Sequence, residues 1–72
     1  MVIYKTKEQH IFGKQNYYWN EYRLEENYVE KYKCHRQKVF DGKENEWREY
    51  EEFVDSWQIN DSSMPEWLRD YL

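Results

Sequence analysis

The chain has 72 residues, with 15 acidic against 11 basic side chains for a net charge of −4, one cysteine, and 21% Tyr, Trp and Phe. That length allows a single domain over residues 1–72 with a thin core, because a chain of this size buries only about 60% of its unfolded surface. The lone Cys34 excludes an internal disulfide, and Cys34, His10 and His35 lack the paired spacing of a metal site, so neither staple nor cofactor is expected.

The first expected element is a strand over residues 2–12, opening on Val2, Ile3 and Tyr4 and closing on Ile11 and Phe12, with a polar middle that marks an edge or an interruption. Residues 13–16 are expected to turn. Residues 17–25 read as a second strand rich in Tyr and Trp, and residues 28–40 as a third. A two-residue loop at Glu26-Asn27 then sets Glu25 opposite Tyr28, Arg23 opposite Glu30, Trp19 opposite Cys34 and Tyr18 opposite His35. Side chains alternate across strands, so one face would carry Tyr17, Trp19, Tyr28, Tyr32 and Cys34, with Arg23 paired to Glu30. This is the expected core face. The other would carry Tyr18, Tyr22, Leu24 and Val29 with Lys31, Lys33 and His35.

Asp41-Gly42 is the strongest turn signal in the chain. Beyond it, Trp47, Tyr50, Val54 and Trp57 fall at i, i+3, i+7 and i+10, with Phe53 beside them, and Glu44 precedes Arg48 by four residues. This spacing predicts a helix over 45–58. Ser63-Met64-Pro65-Glu66 has the form of a capping box ahead of a short helix over 64–71 that lines up Met64, Trp67, Leu68, Tyr71 and Leu72. The expected fold class is therefore α+β: a three-stranded antiparallel meander packed on one helix, plus a short C-terminal helix. The alternative is a mostly-β, four-stranded fold. Trp19, Tyr32, Trp47, Tyr50, Phe53, Val54 and Trp57 are the expected core.

Leu, Ile, Val and Phe together number only 13, and there is no alanine. A disordered chain is poor in aromatics, so this one is read as folded through its tyrosines and tryptophans. No apolar run approaches the roughly 20 residues of a membrane span. Lys5, Lys7 and Glu8 interrupt any signal-peptide pattern, so a cytoplasmic setting without membrane contact is expected.

No motif carries chemistry. Cys34 and His35 are adjacent on a strand and point to opposite faces, so they cannot form a nucleophile–base pair. The glutamates after residue 44 are surface carboxylates rather than an acid–base pair. A non-enzymatic accessory protein, adaptor or inhibitor in type, is expected to act through protein–protein binding. Its partner-binding candidates are Trp67, Leu68 and Tyr71 on the C-terminal stripe and the acidic Glu51, Glu52 and Asp55. The stripe docks on its own sheet, on a second copy in a homodimer, or on a foreign partner. The alternative is a single-stranded nucleic-acid binder using Tyr18, Tyr22, Lys31, Lys33 and His35, where bases would stack on rings beside basic side chains. Small size and an aromatic, charged surface are in keeping with accessory proteins of phages or mobile elements.

Overall fold

A computed structural model describes residues 1–10, 15–40 and 42–72. Five strands form one antiparallel sheet: β1 (Val2–Lys5), β2 (Gln9–His10), β3 (Asn16–Leu24), β4 (Tyr28–Phe40) and β5 (Asn45–Gln58). The order is β1-β3-β4-β5, with β2 following β1 along the same edge of β3. A four-residue helix, α1 (Glu66–Arg69), follows. The α+β expectation is thereby overturned, and the mostly-β alternative fits. The expected first strand is present as β1 and β2; its last two residues and the start of the following turn lie outside the described residues.

The β3–β4 hairpin closes as the Glu26-Asn27 loop requires. Arg23 faces Glu30, Trp19 faces Cys34 and Tyr18 faces His35. Glu25 N–H donates to the Tyr28 carbonyl at 2.9 Å. No described residue other than glycine takes a positive φ, so Asn27 turns the chain without the left-handed conformation. Gly42, by contrast, sits at φ +95° between β4 and β5, a region that favours glycine.

Residues 45–58 are strand, not helix. Thirteen residues of β4 find a partner on β5, from Tyr28 opposite Gln58 to Phe40 opposite Asn45. Aromatic and β-branched side chains favour this pleated setting. Both faces of β5 are largely open, so neither needed to be apolar. Aromatics accordingly fall on both, and the residual spacing mimics a helical stripe. Val54 is the extra residue of a bulge between the Lys31–Asp55 and Tyr32–Phe53 pairs, which breaks the alternation further. The Glu44–Arg48 helical pair does not form; Arg48 pairs with Glu46 at 3.5 Å.

The core is on the face opposite to the one expected. We call the face of Tyr17, Trp19, Arg23, Tyr32 and Cys34 the front, and that of Tyr18, Tyr22, Val29 and His35 the back. Tyr22 and Val29 are buried against Met64 and Leu68, with Ile3, Tyr4, Leu24 and Trp57 packed around them. Trp67 meets Tyr22 edge-on at 5.1 Å between centroids and Tyr4 likewise at 5.1 Å. The C-terminal segment therefore docks on its own sheet. Of the seven expected core residues only Trp19 is buried, while Tyr32 and Trp57 are half-buried and Trp47, Tyr50, Phe53 and Val54 are exposed.

The capping box is also absent. Ser63 donates through both its N–H and Oγ to Asp61 Oδ1, at 2.9 and 2.8 Å, and α1 begins after Pro65 with no side-chain cap. Those two bonds hold the Asp61 carboxyl below its ordinary range. Arg69 then donates to the carbonyls of Ile59 and Asp61, tying α1 to the loop that leaves β5.

One short segment over one end of one face makes a thin, long molecule. The radius of gyration is 15.2 Å, against about 11 Å for a compact domain of this length. We expect Leu68→Ala to cost about 2–5 kcal/mol, enough to unfold so small a domain. Trp47→Ala, at a residue 47% exposed, should cost roughly 1 kcal/mol. Thermal melts of the two variants check the order; equal losses would place the core elsewhere.

Candidate functional site

On the front face Trp47 and Phe53 stand exposed beside the half-buried Tyr17, Tyr32 and Arg36. β3, β4 and β5 hold its side chains in cross-strand rows. Tyr17 faces Arg36, which faces Glu49; Glu21 faces Tyr32, which faces Phe53; Trp19 faces Cys34, which faces Glu51. From the segment between β1 and β2, Glu8 reaches this face and accepts from Arg36 Nη2 at 3.4 Å. The side chains also cover one another. Lys5 Nζ lies 4.8 Å over the Trp19 ring, Arg23 lies 4.2 Å over Tyr32, and Arg36 lies over both Tyr17 and Trp47, at 5.0 and 5.3 Å. Such contacts hold a charged head over a ring at about 0.5–1 kcal/mol each in exposed settings.

An ion network fixes the middle of this face. Arg23 Nη1 and Nη2 donate to both oxygens of Glu51, at 3.1 and 2.7 Å, while Nε and Nη2 donate to Glu21 Oε2 at 3.1 and 2.8 Å. Trp19 Nε1–H donates to the other Glu21 oxygen at 3.0 Å. The expected Arg23–Glu30 pair is replaced by this arrangement; Glu30 instead accepts from the Tyr32 hydroxyl at 3.2 Å. Partial burial pushes the Glu21 carboxyl up, but the bonds from Trp19 and Arg23 outweigh it, and the net shift is downward. The Arg23 hydrogen bonds hold Glu51 down as well, and Glu51 in turn raises the Arg23 guanidinium.

Cys34 is buried beneath this network, and His35 points to the back face. Burial first, and then the Glu21 carboxylate, push the Cys34 thiol above its ordinary value. His10 stacks on Tyr17 at 4.9 Å, at the far end of the front face. Among the described residues no three His, Cys, Asp or Glu side chains converge as a metal site would require.

The structure separates the residues singled out from the sequence. Leu68 is fully buried and belongs to the core, while Trp67 and Tyr71 remain about half exposed over Tyr4. Glu51, Glu52 and Asp55 lie on β5, not on a helix. Glu51 belongs to the front network, and Glu52 and Asp55 face Lys33 and Lys31 across the ladder. The nucleic-acid candidates divide similarly. Tyr22 is buried under Trp67, with Lys31 Nζ 5.6 Å over its ring. Tyr18 and His35 stack in parallel at 4.3 Å and, with Lys33, Tyr50, Glu51 and Glu52, line a shallow cavity of about 210 Å³.

The Arg23 network and the exposed β5 aromatics were not singled out as a site. Their signal was present in the β3–β4 register, which places Arg23 and Tyr32 on one face, but it depended on β5 being a strand. No protein-family model, curated protein or solved structure matches the chain. Among the described residues no helix is long and apolar enough to cross a membrane.

Two outcomes follow. Carboxyls held below their unfolded value stabilise the fold above about pH 4.5, and that contribution is lost as pH falls through their folded values. The melting temperature of Arg23→Gln should therefore lie below that of the natural chain at pH 7, and the gap should narrow toward pH 3. A gap unchanged with pH would contradict the network. Cys34, buried and disfavoured as thiolate, should alkylate slowly with iodoacetamide in the native protein and rapidly in denaturant.

Proposed function

We propose that the protein is a non-enzymatic binding protein, of adaptor or inhibitor type, that engages another protein through the front face between Tyr17 and Phe53. The observation carrying this reading is that Trp47 and Phe53 stand 47% and 54% exposed beside the half-buried Arg23 and Arg36, with no described helix over them. Trp, Tyr and Arg are the residue types that dominate interface energetics. Here the arginines are already immobilised over rings and by carboxylates, so less side-chain freedom remains to be lost on binding. Rows of both charge signs favour a partner surface of mixed polarity over a polyanion.

The back face gives weaker support to nucleic-acid binding. Tyr50 offers an exposed ring, but Tyr18 and His35 are stacked on each other, and the basic side chains beside them face acids across the ladder: Lys33 faces Glu52, and Lys31 faces Asp55. Glu52 lines the same cavity, together with Glu51. A phosphate backbone there would meet carboxylates as well as ammonium groups.

The test is capture from native lysate by tagged protein at low and moderate salt, with a Trp47→Ser/Phe53→Ser variant alongside. A stoichiometric protein retained by the natural chain and lost by the variant, at unchanged fold, is the expected result. Capture of no partner, or equal capture by both, would contradict it. Anisotropy of a labelled single-stranded oligonucleotide should stay flat; a salt-sensitive rise abolished by Tyr18→Ala would move the function to the back face.

A further inference from the structure

The two edges of the sheet are unlike. Among the described residues the β1–β2 edge is short and broken: three paired residues in β1, a gap, then two in β2, with a bulge between Val2 and Tyr4. Those are features that keep an edge from templating another strand. The β5 edge runs fourteen residues, regular from Asn45 to Phe53, and no described strand pairs with its outer side.

The hydrogen-bond phase of that edge follows from the ladder. Glu25 N–H bonds to Tyr28, and Thr6 N–H to the Asn20 carbonyl, so odd residues of β3 bond toward β4 and even ones away from it. Bonding alternates along antiparallel strands. Carried across β4, the alternation turns the backbones of Glu46, Arg48, Tyr50 and Glu52 inward. Those of Trp47, Glu49, Glu51 and Phe53 are turned outward.

We propose that this edge pairs with the β5 edge of a second copy, antiparallel about a twofold axis at Tyr50, making one continuous sheet. A twofold axis normal to the sheet keeps front with front and back with back, so only residues of equal parity can face each other. Centring at Tyr50 sets Arg48 opposite Glu52 twice on the back face and Trp47 opposite Phe53 twice on the front. The outward backbones of Trp47, Glu49, Glu51 and Phe53 then fall on hydrogen-bonded pairs. Neighbouring centres do worse. Glu49 or Glu51 at the centre opposes identical carboxylates and sets no acid opposite Arg48 across the seam, leaving it only Glu46 on its own strand. Glu52 at the centre opposes itself and runs into the Val54 bulge. A centre at Trp47 shortens the overlap to a few residues. In the Tyr50 register the Glu49–Glu51 pairs are the unfavourable ones, and each lies beside an arginine: Glu51 is held by Arg23, and Glu49 faces Arg36.

This pairing uses the edge, whereas the proposed function uses the front face. A monomeric chain would leave that function standing, and lysate capture does not depend on the dimer.

The experiment is sedimentation equilibrium of the full chain over roughly a hundredfold range of concentration, with mass rising toward twice 9.3 kDa. Arg48→Glu should weaken dimerisation at least tenfold, because it sets two like-charge pairs at the seam. The exchange Arg48→Glu/Glu52→Arg, made together with Lys33→Glu so that opposite charges still face each other across the β4–β5 ladder, should restore it. Glu49→Pro, which removes an outward N–H and spares the β4 ladder, should abolish dimerisation without loss of the fold, checked by amide dispersion. A natural chain that stays monomeric throughout, a dimer indifferent to Arg48→Glu and Glu49→Pro, or an exchange variant no better than Arg48→Glu would each overturn the proposal.

Discussion

The structure rests on the seating of Leu68 and Met64 over Tyr22 and Val29. These are the residues at which a second layer reaches the sheet, and all four are nearly or wholly buried. A single antiparallel sheet has two faces to desolvate, and one short segment can cover only part of one. Trp67 and Tyr71 extend the cover across Tyr4, and Arg69 anchors it to the carbonyls of Ile59 and Asp61. A helix of four residues has no stability of its own. It persists because the sheet supplies its apolar partners and the sheet persists partly because the helix covers them. Cooperativity of this kind suits a chain with no alanine and only 13 Leu, Ile, Val and Phe residues, where few large side chains must do the work of many small ones.

Away from that seat the sheet manages with side chains lying flat on it. Long basic residues extend over neighbouring rings and cover apolar area that a second layer would otherwise cover, with their charged heads in water. Lys5 on Trp19, Arg23 on Tyr32 and Arg36 between Tyr17 and Trp47 do this on the front, and parallel stacking of Tyr18 on His35 does it on the back. Trp19 and Cys34 become buried by this route, with no described helix packed above them. A face built this way has its side chains already held in place, and the proposed binding reading would draw on that order.

How much was legible in the sequence depended on which interactions were local. The β3–β4 register followed from the Glu26-Asn27 loop and strand alternation, both short-range, and it holds pair by pair. The strand–helix ambiguity of residues 45–58 could not be settled that way. Periodicity reports which face is buried, and β5 buries almost nothing, so its aromatics carry no reliable period. The core face was misread for a related reason. Tyr17, Trp19, Tyr32 and Cys34 are the more apolar set, but the cover arrives from residues 61–72, and its landing side is a tertiary choice. Ser63 likewise has the spacing of a helix cap, yet Asp61 two residues earlier captures both its donors. The Arg23 network joins residues 28 apart in sequence and was visible only once β5 was in place.

What then fixes the register of a strand with no core beneath it? The charge asymmetry of the sequence supplies an answer. Residues 31–38 carry four basic side chains and residues 44–70 nine acidic ones. In the ladder the two blocks meet: Lys31 faces Asp55, Lys33 faces Glu52 and Arg36 faces Glu49. Opposite-charge pairs across strands contribute roughly 0.2–1 kcal/mol each, and like charges oppose by a similar amount. Moving β5 by two residues, the smallest slip that keeps its faces, sets Arg36 opposite either Glu51 or Trp47 and Lys33 opposite either Val54 or Tyr50. Either slip removes at least one of these pairs, and a slip also has to move the Val54 bulge. Hydrophobic burial, which specifies register where one face is covered, is thus replaced on β5 by complementary charge. The same substitution sets the acids of β5 directly beside the basic block of β4.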